Sequence, residues 1–168
     1  MGTGLKAASI LSIVVCFAPF TTTVVADSKG DLDTINQQKV AGATDPEKEI
    51  DDEVNRAVDA WNQHNLEGYL DIFSRSDSLV VVVEGETVRG WDLFSKALHT
   101  GYPNPSEMGS LTLDRVQVQM LSSELGVVLT WDTVSFTKKK EFGTSTIVMK
   151  KLAEGWRVIL MHTSFVEP

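Results

Sequence analysis

Four strand-like segments joined by short turns occupy the last third of this chain, and they restrict its possible folds more than any other feature. The segments are Leu111 to Leu121, Leu125 to Phe136, Phe142 to Leu152 and residues 155–165 (GWRVILMHTSF). Their alternation and their β-branched and aromatic residues are typical of strands. Because strands that follow each other through tight turns pair in antiparallel fashion, the sequence predicts a sheet built from consecutive hairpins.

The apolar positions of the first segment change parity part-way along it. Leu111 and Leu113 share one face of a regular strand, whereas Val116 and Val118 fall on the other. Successive side chains of a regular strand alternate between the two faces of the sheet. The shift therefore predicts a β-bulge or a strong bend between Leu113 and Val116.

Helical periodicity characterises the region before these strands. Asp45 can cap a helix with Pro46 at its first position. The apolar residues that follow recur at intervals of three and four: Ile50, Val54, Ala57, Val58 and Trp61. Residues 66–73 (LEGYLDIF) and 91–102 (WDLFSKALHTGY) repeat this pattern, so three helices are predicted.

One short segment between the second and third helices is apolar on both faces. Leu79 to Val83 (LVVVV) predicts a strand that is covered on both sides. The two prolines and the glycine of residues 103–110 (PNPSEMGS) predict irregular backbone. Because helices come first and antiparallel hairpins last, the order indicates the α+β class, with helices packed on one face of a curved sheet.

The first 26 residues have the organisation of a secretory signal peptide. Lys6 supplies a positive charge, residues 7–20 form an apolar or small run, and Val24-Val25-Ala26 offers a cleavage site. An uncleaved membrane anchor is the alternative, but the run is shorter than the roughly 20 apolar residues that span a bilayer. We therefore expect a secreted or periplasmic protein.

Two segments would remain after cleavage of residues 1–26. Residues 27–44 are polar and lack aromatic side chains, which predicts a flexible lead, and residues 45–168 form the expected domain. Cys16 is the sole cysteine and would leave with the signal peptide. The mature chain would then contain no disulfide, and its fold would depend on its core.

The mature chain is strongly acidic. The whole chain has 15 basic and 23 acidic residues, and removing Lys6 leaves 14 basic residues and a net charge of −9. Such a chain repels nucleic acid and anionic lipid at long range. The cluster Lys138-Lys139-Lys140 is better explained as a solvated hairpin turn. We expect no nucleic-acid partner, and no membrane anchor after signal cleavage.

A histidine near the end of the last strand is the best candidate for a functional side chain. In a regular strand one face would consist of Trp156, Val158, Leu160, His162 and Ser164. This face is apolar until it becomes polar at His162. An imidazole can bind a polar group or transfer a proton near neutral pH, but a hydrogen-bonded structural histidine is the alternative.

Aromatic residues are candidates for the wall of a ligand pocket. They are Trp61, Tyr69, Trp91, Tyr102 and Trp131. Each combines apolar surface with a polar group, as small-molecule sites require, and each is equally well explained by core packing. Regular alternation from Trp131 places Asp132 on the opposite face of its strand, away from the helices.

No motif indicates a metal site, a cofactor or a covalent nucleophile. The three histidines are far apart in sequence, and no His-x-x-x-His motif is present. His64 and His99 fall near the C-terminal ends of predicted helices, where a cationic imidazole complements the helix dipole. Ser164 alternates with His162 but has no orienting acid, so a catalytic triad is not predicted.

Four stretches of the sequence are similar to one known family. They are AWNQHNLEGYLDIF at 60–73, VRGWDLF at 88–94, YPNPSEMG at 102–109 and STIVMKKLAEGWRVILMHTS at 145–164. On these stretches the chain resembles the SnoaL-like branch of the nuclear transport factor 2-like superfamily, in particular its small members of unknown function. The resemblance covers about residues 47–166.

The resemblance implies a fold and a range of functions. The fold would be a cone of strongly curved antiparallel sheet, with N-terminal helices on its concave face and a pocket that His162 and Ser164 approach. The superfamily includes ketosteroid isomerases, polyketide cyclases, dehydratases, transport factors and kinase association domains. Many similar sequences carry an aspartate immediately before His-Thr-Ser, whereas this chain has Met161 and lacks that carboxylate.

Three hypotheses for function follow. The preferred one is a secreted domain that binds a small apolar or amphipathic molecule in its cone pocket, without established catalysis. The second is an isomerase, cyclase or dehydratase that uses His162 as general acid or base, and the third is a dimerisation or interaction module. Because helices cover only one face of the strand at Leu79 to Val83, we also expect a homodimer formed through the outer face of the sheet.

Overall fold

The computed structural model describes residues 45–166. The predicted signal peptide, Cys16 and the predicted lead lie outside the described residues. The described elements are α1 (Pro46–Asn62), α2 (Leu66–Leu70), β1 (Val80–Val83), β2 (Glu86–Arg89), α3 (Trp91–Gly101), a 3₁₀ turn (Pro105–Glu107), β3 (Ser110–Ser122), β4 (Leu125–Ser135), β5 (Lys140–Leu152) and β6 (Gly155–Val166).

The helices begin at the residues that their capping signals predict. The Asp45 carboxylate accepts a hydrogen bond of 3.1 Å from the Glu47 N–H, and Pro46 is the first residue of α1. The buried face of α1 consists of Ile50, Val54, Ala57, Ala60 and Trp61. Asn65 caps α2 by accepting a 3.0 Å hydrogen bond from the Gly68 N–H, and α2 ends at Leu70, three residues earlier than predicted.

The six described strands form one curled, unclosed sheet in the order β2-β1-β6-β5-β4-β3. Neighbouring strands pair in antiparallel fashion, except that β1 runs parallel to β6. Helix α1 packs against β3 and β6. The α+β class and the curved, mostly antiparallel sheet are therefore confirmed, and the parallel pair arises because β1 reaches β6 through a long connection instead of a hairpin.

Two strands contain extra residues that interrupt the alternation of their side chains. The pairing of β3 with β4 shifts between Leu113 and Arg115, which confirms the bulge that the parity change predicts. On β6, Val158 pairs with Met149 and Leu160 pairs with Val148, so Ile159 is an additional residue. Side chains beyond such a bulge exchange faces relative to an uninterrupted strand.

The bulge at Ile159 reverses the predicted orientation of the end of β6. Trp156 and Val158 are buried in the core as expected. Beyond the bulge, Met161, Thr163 and Phe165 face the interior, and the ring of His162 is exposed on the outer face. The face predicted for His162 and Ser164 is therefore wrong, because an extra residue within an apolar run leaves no sequence signal.

The orientation of β4 also differs from the prediction. Its apolar residues Leu125, Val127, Leu129 and Trp131 share one face as predicted, but they are half-buried on the outer side of the sheet. The inner positions between them are buried, and they include Thr130 and Asp132. Both faces of β4 carry apolar residues, so alternation shows which side chains share a face without showing which face the helices cover.

Polar contacts attach α1 to the sheet at both ends. At its C-terminal end, the Asn62 amide donates to the Leu111 carbonyl at 2.9 Å and accepts from the Leu111 N–H at 2.7 Å. At its N-terminal end, Glu49 accepts hydrogen bonds from the Trp156 indole at 2.8 Å and from the Lys151 ammonium at 2.7 Å. These contacts fix the helix over the interior of the sheet.

Candidate functional site

A cavity of about 300 Å³ lies between the helices and the inner face of the sheet. Side chains of all three helices and of β1, β3, β4, β5 and β6 form its walls, and most of them are apolar. Its aromatic wall consists of Trp61, Tyr69, Phe73, Phe94, Tyr102, Phe136 and Phe165. A cavity of this size and composition is typical of small-molecule sites.

The aromatic wall is held by ring contacts between the helices. Trp61 packs edge-to-face on Tyr69 and Tyr102, with ring centroids 4.9 and 5.2 Å apart. Phe73 continues the cluster, with centroids 5.6 Å from Tyr69 and 4.7 Å from Phe94. Edge-to-face and offset ring pairs are favourable contacts, so the rings of this wall stabilise one another in their observed positions.

A row of hydroxyl groups crosses the floor of the cavity. Thr130 on β4 pairs with Ser145 on β5, and Ser145 pairs with Thr163 on β6. All three residues are buried and line the cavity. The hydroxyls of Ser145 and Thr163 are 2.9 Å apart, within hydrogen-bond distance. The row supplies polar groups at one level of an otherwise apolar site.

Asp132 adds a carboxyl group one inner position along β4 from this row. It is only 7 % exposed, and its Oδ1 accepts a hydrogen bond of 3.3 Å from the Thr130 hydroxyl. Gly143 is its partner on β5, and a Cβ there would lie 2.9 Å from Asp132 Oδ2. The glycine thus leaves the space that the carboxyl group occupies.

The surroundings of Asp132 oppose its ionisation. Burial raises the pKa of Asp132, and the nearby Asp114 carboxylate raises it further, while the hydrogen bond from Thr130 lowers it. Burial also raises the pKa of the Tyr69 phenol, with contributions from Asp132 and Tyr102. The site therefore contains a protonated phenol and a carboxyl group that gains a proton more readily than an exposed one.

A second carboxylate lies at the end of the cavity near the β4–β5 turn. Glu141 forms an ion pair with Lys139, whose ammonium is also 5.1 Å from the centroid of the Phe136 ring. Burial and the Glu141 charge raise the pKa of Tyr102, and Lys139 opposes them. The charge of Glu141 is thus balanced by Lys139.

The structure brings three of the predicted pocket residues together, namely Trp61, Tyr69 and Tyr102. Trp91 lies outside the cavity and contacts the Arg75 guanidinium, whose carbon is 5.2 Å from the ring centroid. Trp131 lies on the outer face of β4, where Arg115 stacks at 4.6 Å. Both tryptophans have cationic neighbours outside the cavity.

The predicted polar pair of β6 also lies outside the cavity. His162 is exposed and Ser164 is half-buried on the outer face, beside Val82 and Thr144 respectively. Thr163, between them, is the polar β6 residue that lines the cavity. A ligand inside the cavity therefore meets Thr163 in place of the two residues that the sequence indicated.

The remaining histidines have local roles. His99 donates from Nδ1 to the Ser95 carbonyl and from Nε2 to Glu67, both at 2.7 Å, and thereby links α3 to α2. Both ring nitrogens donate only in the protonated form, and these two partners raise the pKa of His99. His64 is exposed and has a positive φ of 56° at the turn after α1.

Sequence analysis did not identify Thr130, Asp132, Ser145 and Thr163 as a group. The sequence did contain one sign of this group. Polar residues stand at inward positions of three consecutive strands, whereas most other inward positions of these strands are apolar. Detecting it required the register between those strands. Among residues 45–166, no group of three or more His, Cys, Asp or Glu side chains is placed to hold a metal ion.

Comparison with protein families identifies the chain. The profile of the SnoaL-like domain matches residues 50–168, which is most of the chain. The protein belongs to the SnoaL-like domain family. Searching the curated proteins gives no match to this SnoaL-like chain.

Solved structures similar to this SnoaL-like protein share its fold. An NTF-2 like protein of unknown function from Shewanella oneidensis is 23% identical, with a TM-score of 0.69 over 71% of this chain and 99% of that one. A domain of unknown function with a cystatin-like fold from Nostoc punctiforme is 19% identical, with a TM-score of 0.61 over 75% and 81% of the chains.

A nuclear transport factor 2-like superfamily protein from Salmonella enterica is also similar. It is 17% identical, with a TM-score of 0.60 over 73% of this chain and 92% of that one. At these identities the likeness shows the fold, and the activity has to be argued from the site. No helix within residues 45–166 is long and apolar enough to cross a membrane.

Proposed function

We propose that this SnoaL-like domain binds a small, largely apolar molecule in the cavity between its helices and its sheet. The supporting observation is the cavity itself, about 300 Å³ in volume, with an aromatic wall, the hydroxyl row with Asp132, and Glu141 at one end. Burial of apolar ligand surface against the aromatic wall supplies affinity. The hydroxyl row and Asp132 supply the few polar contacts that fix a ligand's orientation.

Filling the cavity tests this proposal. N-phenyl-1-naphthylamine, a neutral dye that fluoresces in apolar surroundings, should bind the wild-type protein saturably. Ile147→Trp places a large side chain in the cavity wall, so this variant should lose most of the fluorescence increase. Leu93→Trp makes a comparable change at a residue that is 62% exposed, and should bind the dye as the wild type does.

Thermal melts of both variants show whether they remain folded, because overpacking a core typically costs about 1–3 kcal/mol. Dye binding that is absent from the wild type, or that survives unchanged in a folded Ile147→Trp variant, would contradict binding in this cavity. Loss of binding in Leu93→Trp as well would show that the effect is unspecific.

A second candidate function is proton-transfer catalysis centred on Asp132. The favouring observation is a buried carboxyl with a raised pKa near the protonated Tyr69 phenol, an arrangement suited to general acid–base chemistry. This candidate keeps the enzyme hypothesis but assigns the proton to Asp132 in place of His162. The protein should then accelerate exchange of the α-hydrogens of 2-tetralone in D₂O, and Asp132→Asn should abolish the acceleration. Exchange no faster than in buffer contradicts it.

We also propose that the protein is exported and cleaved close to Ala26. The support is the sequence alone, with Lys6, the apolar run at 7–20 and the small residues at 24–26. Intact-mass analysis of protein from the native host should give a mature chain that begins near Asp27. A chain that still begins near Met1 would contradict export by cleavage.

A further inference from the structure

The charges on the cavity wall are all of one sign. Two charged side chains line it, Asp132 and Glu141, and no lysine, arginine or histidine does. Glu141 is neutralised by its ion pair with Lys139. Asp132 takes part in none of the ion pairs among the described residues. The interior therefore contains one carboxylate whose charge no protein cation balances.

Aromatic rings line the same cavity as this carboxylate, and both Asp132 Oδ2, at 2.9 Å, and ring carbons of Phe165, at 3.4 Å, adjoin the position that a Cβ on Gly143 would take. Tyr69 is close enough to Asp132 for the carboxylate to contribute to the raised pKa of its phenol. Tyr69 also packs against Trp61 and Phe73. Ring faces carry negative electrostatic potential and attract cations. A carboxylate combined with aromatic rings in a desolvated site is a favourable environment for an ammonium group.

We propose that the natural ligand of this cavity is a small hydrophobic amine whose ammonium group pairs with Asp132. The inference rests on the proposed binding function and names its ligand class. The apolar part of the amine would fill the space between the helices, and the ammonium would donate to the carboxylate and to the hydroxyl row. Thr130, Ser145 and Thr163 offer acceptor oxygens beside Asp132.

Charge distinguishes an amine from the other amphipathic ligands of similar size. A carboxylic acid would bring a second negative charge beside Asp132, and the cavity wall has no cation to receive it. A neutral alcohol would donate a hydrogen bond to Asp132 but leave its charge unbalanced, whereas an ammonium donates a hydrogen bond and also supplies the opposite charge, whose attraction is strong in a desolvated site. The expected order of affinity is amine, then alcohol, then acid.

Three probes with one carbon skeleton test this order: 4-phenylbutylamine, 4-phenylbutan-1-ol and 4-phenylbutanoate. Their affinities for the full chain are measured at pH 7.5 by calorimetry and by displacement of N-phenyl-1-naphthylamine. The amine should bind roughly tenfold more tightly than the alcohol, and the acid should bind weakest. Asp132→Asn should remove the preference for the amine and leave the affinity for the alcohol within about twofold.

Glu124→Gln is the matched control, because it removes one negative charge from an exposed turn outside the cavity. It should leave the preference for the amine unchanged. Equal affinities for amine and alcohol, tightest binding of the acid, or a preference that survives Asp132→Asn would each overturn the amine assignment. If the dye binds and none of the probes displaces it, the assignment fails while binding in the cavity stands. If the dye does not bind either, both fail.

Discussion

Asp132 shows that the cavity is maintained at a cost to stability. Its carboxyl group is buried, its pKa is raised further by the charge of Asp114, and within residues 45–166 its side chain accepts one hydrogen bond, from Thr130. Burying an ionised group without a cationic partner is unfavourable. Natural sequences retain such residues where function requires them, and relieving them commonly raises stability. A residue with this cost is expected at the site of the proposed ligand.

We predict that Asp132→Asn raises the free energy of unfolding at pH 7 by an amount on the order of 1 kcal/mol. The pKa of Asp132 is higher in the folded than in the unfolded protein. Protonation of Asp132 therefore stabilises the folded wild type. This stabilisation is complete below the unfolded pKa and is lost as pH rises through the folded pKa. The excess free energy of unfolding of Asp132→Asn over the wild type should accordingly be present at pH 7 and become smaller towards pH 3. The Thr130 hydroxyl donates to this carboxyl group, and the charge of Asp114 acts on its pKa, as its own charge acts on the pKa of Tyr69.

Urea unfolding of the wild type, Asp132→Asn and Glu124→Gln at both pH values measures the effect. Glu124→Gln controls for the change in net charge and should show no comparable gain. An Asp132→Asn variant that is less stable than the wild type at pH 7 would mean that the carboxylate contributes to the fold.

Single residues were the hardest feature to predict from the sequence. Residue type alone selected five aromatic residues, of which Trp61, Tyr69 and Tyr102 line the cavity and Trp91 and Trp131 do not. His162 could not be placed, because its orientation depends on the one extra residue at Ile159. Asp132 was assigned to the wrong side of the sheet, because the outer face of β4 is as apolar as a core face.

At the scale of elements, the contact between α1 and β3 attaches the first helix to the edge of the sheet. Both strand-forming backbone groups of Leu111 are bonded to the Asn62 side chain. Leu111 lies on β3, an edge strand of the sheet, so one amide replaces the missing neighbour at this point. Leu111 also lines the cavity, so the two hydrogen bonds of Asn62 hold a residue of the site.

Asn62→Ala should lower the free energy of unfolding by about 1–3 kcal/mol, because it removes two hydrogen bonds and leaves two backbone groups without protein partners. Gln63→Ala, at the adjacent exposed position, is the control and should change stability little. Chemical unfolding of both variants gives the comparison. Equal stabilities of Asn62→Ala and Gln63→Ala would show that water replaces the two hydrogen bonds of Asn62 without loss of stability.

Helices and long strands followed from the sequence because their signals are local. Spacing and caps predicted α1, and parity alone predicted the β3 bulge. The parallel pairing of β1 with β6 joins residues about 80 positions apart, such as Val80 and Leu160, and no local pattern encodes it. The bulge at Ile159 was also hidden, since isoleucine fits either face of a strand that is apolar on both.

At the scale of the whole molecule, the outer face of the sheet is unusually apolar for a solvent-facing surface. One row across four strands consists of Val80, Leu160, Val148 and Val127, which pair in that order. The next row contains Val82, His162, Thr146 and Leu129. The strand β1 is fully buried on its inner side at Val81 and only half-buried on its outer side at Val80 and Val82.

We therefore retain the prediction of a homodimer formed through this face. Sedimentation velocity at micromolar concentration should show a dimer for the wild type. Val148→Glu, which introduces a charge at the centre of the first row, should shift the protein to a monomer. Lys96→Glu on exposed α3 is the control and should remain dimeric. A monomeric wild type would contradict the prediction.

The extra residue at Ile159 has a consequence for how this protein could diversify. Val158 and Leu160 already lie on opposite faces of the sheet, so loss of that single codon would make β6 regular and leave Met161, Thr163 and Phe165 facing inward. The cavity lining would thus survive a one-residue deletion at this position, whereas a register that pairs Ile159 with Val148 at the present length would turn Leu160, His162 and Ser164 inward. The chain carries, on the outside of the sheet, a second set of side chains that only such a shift in register would turn inward.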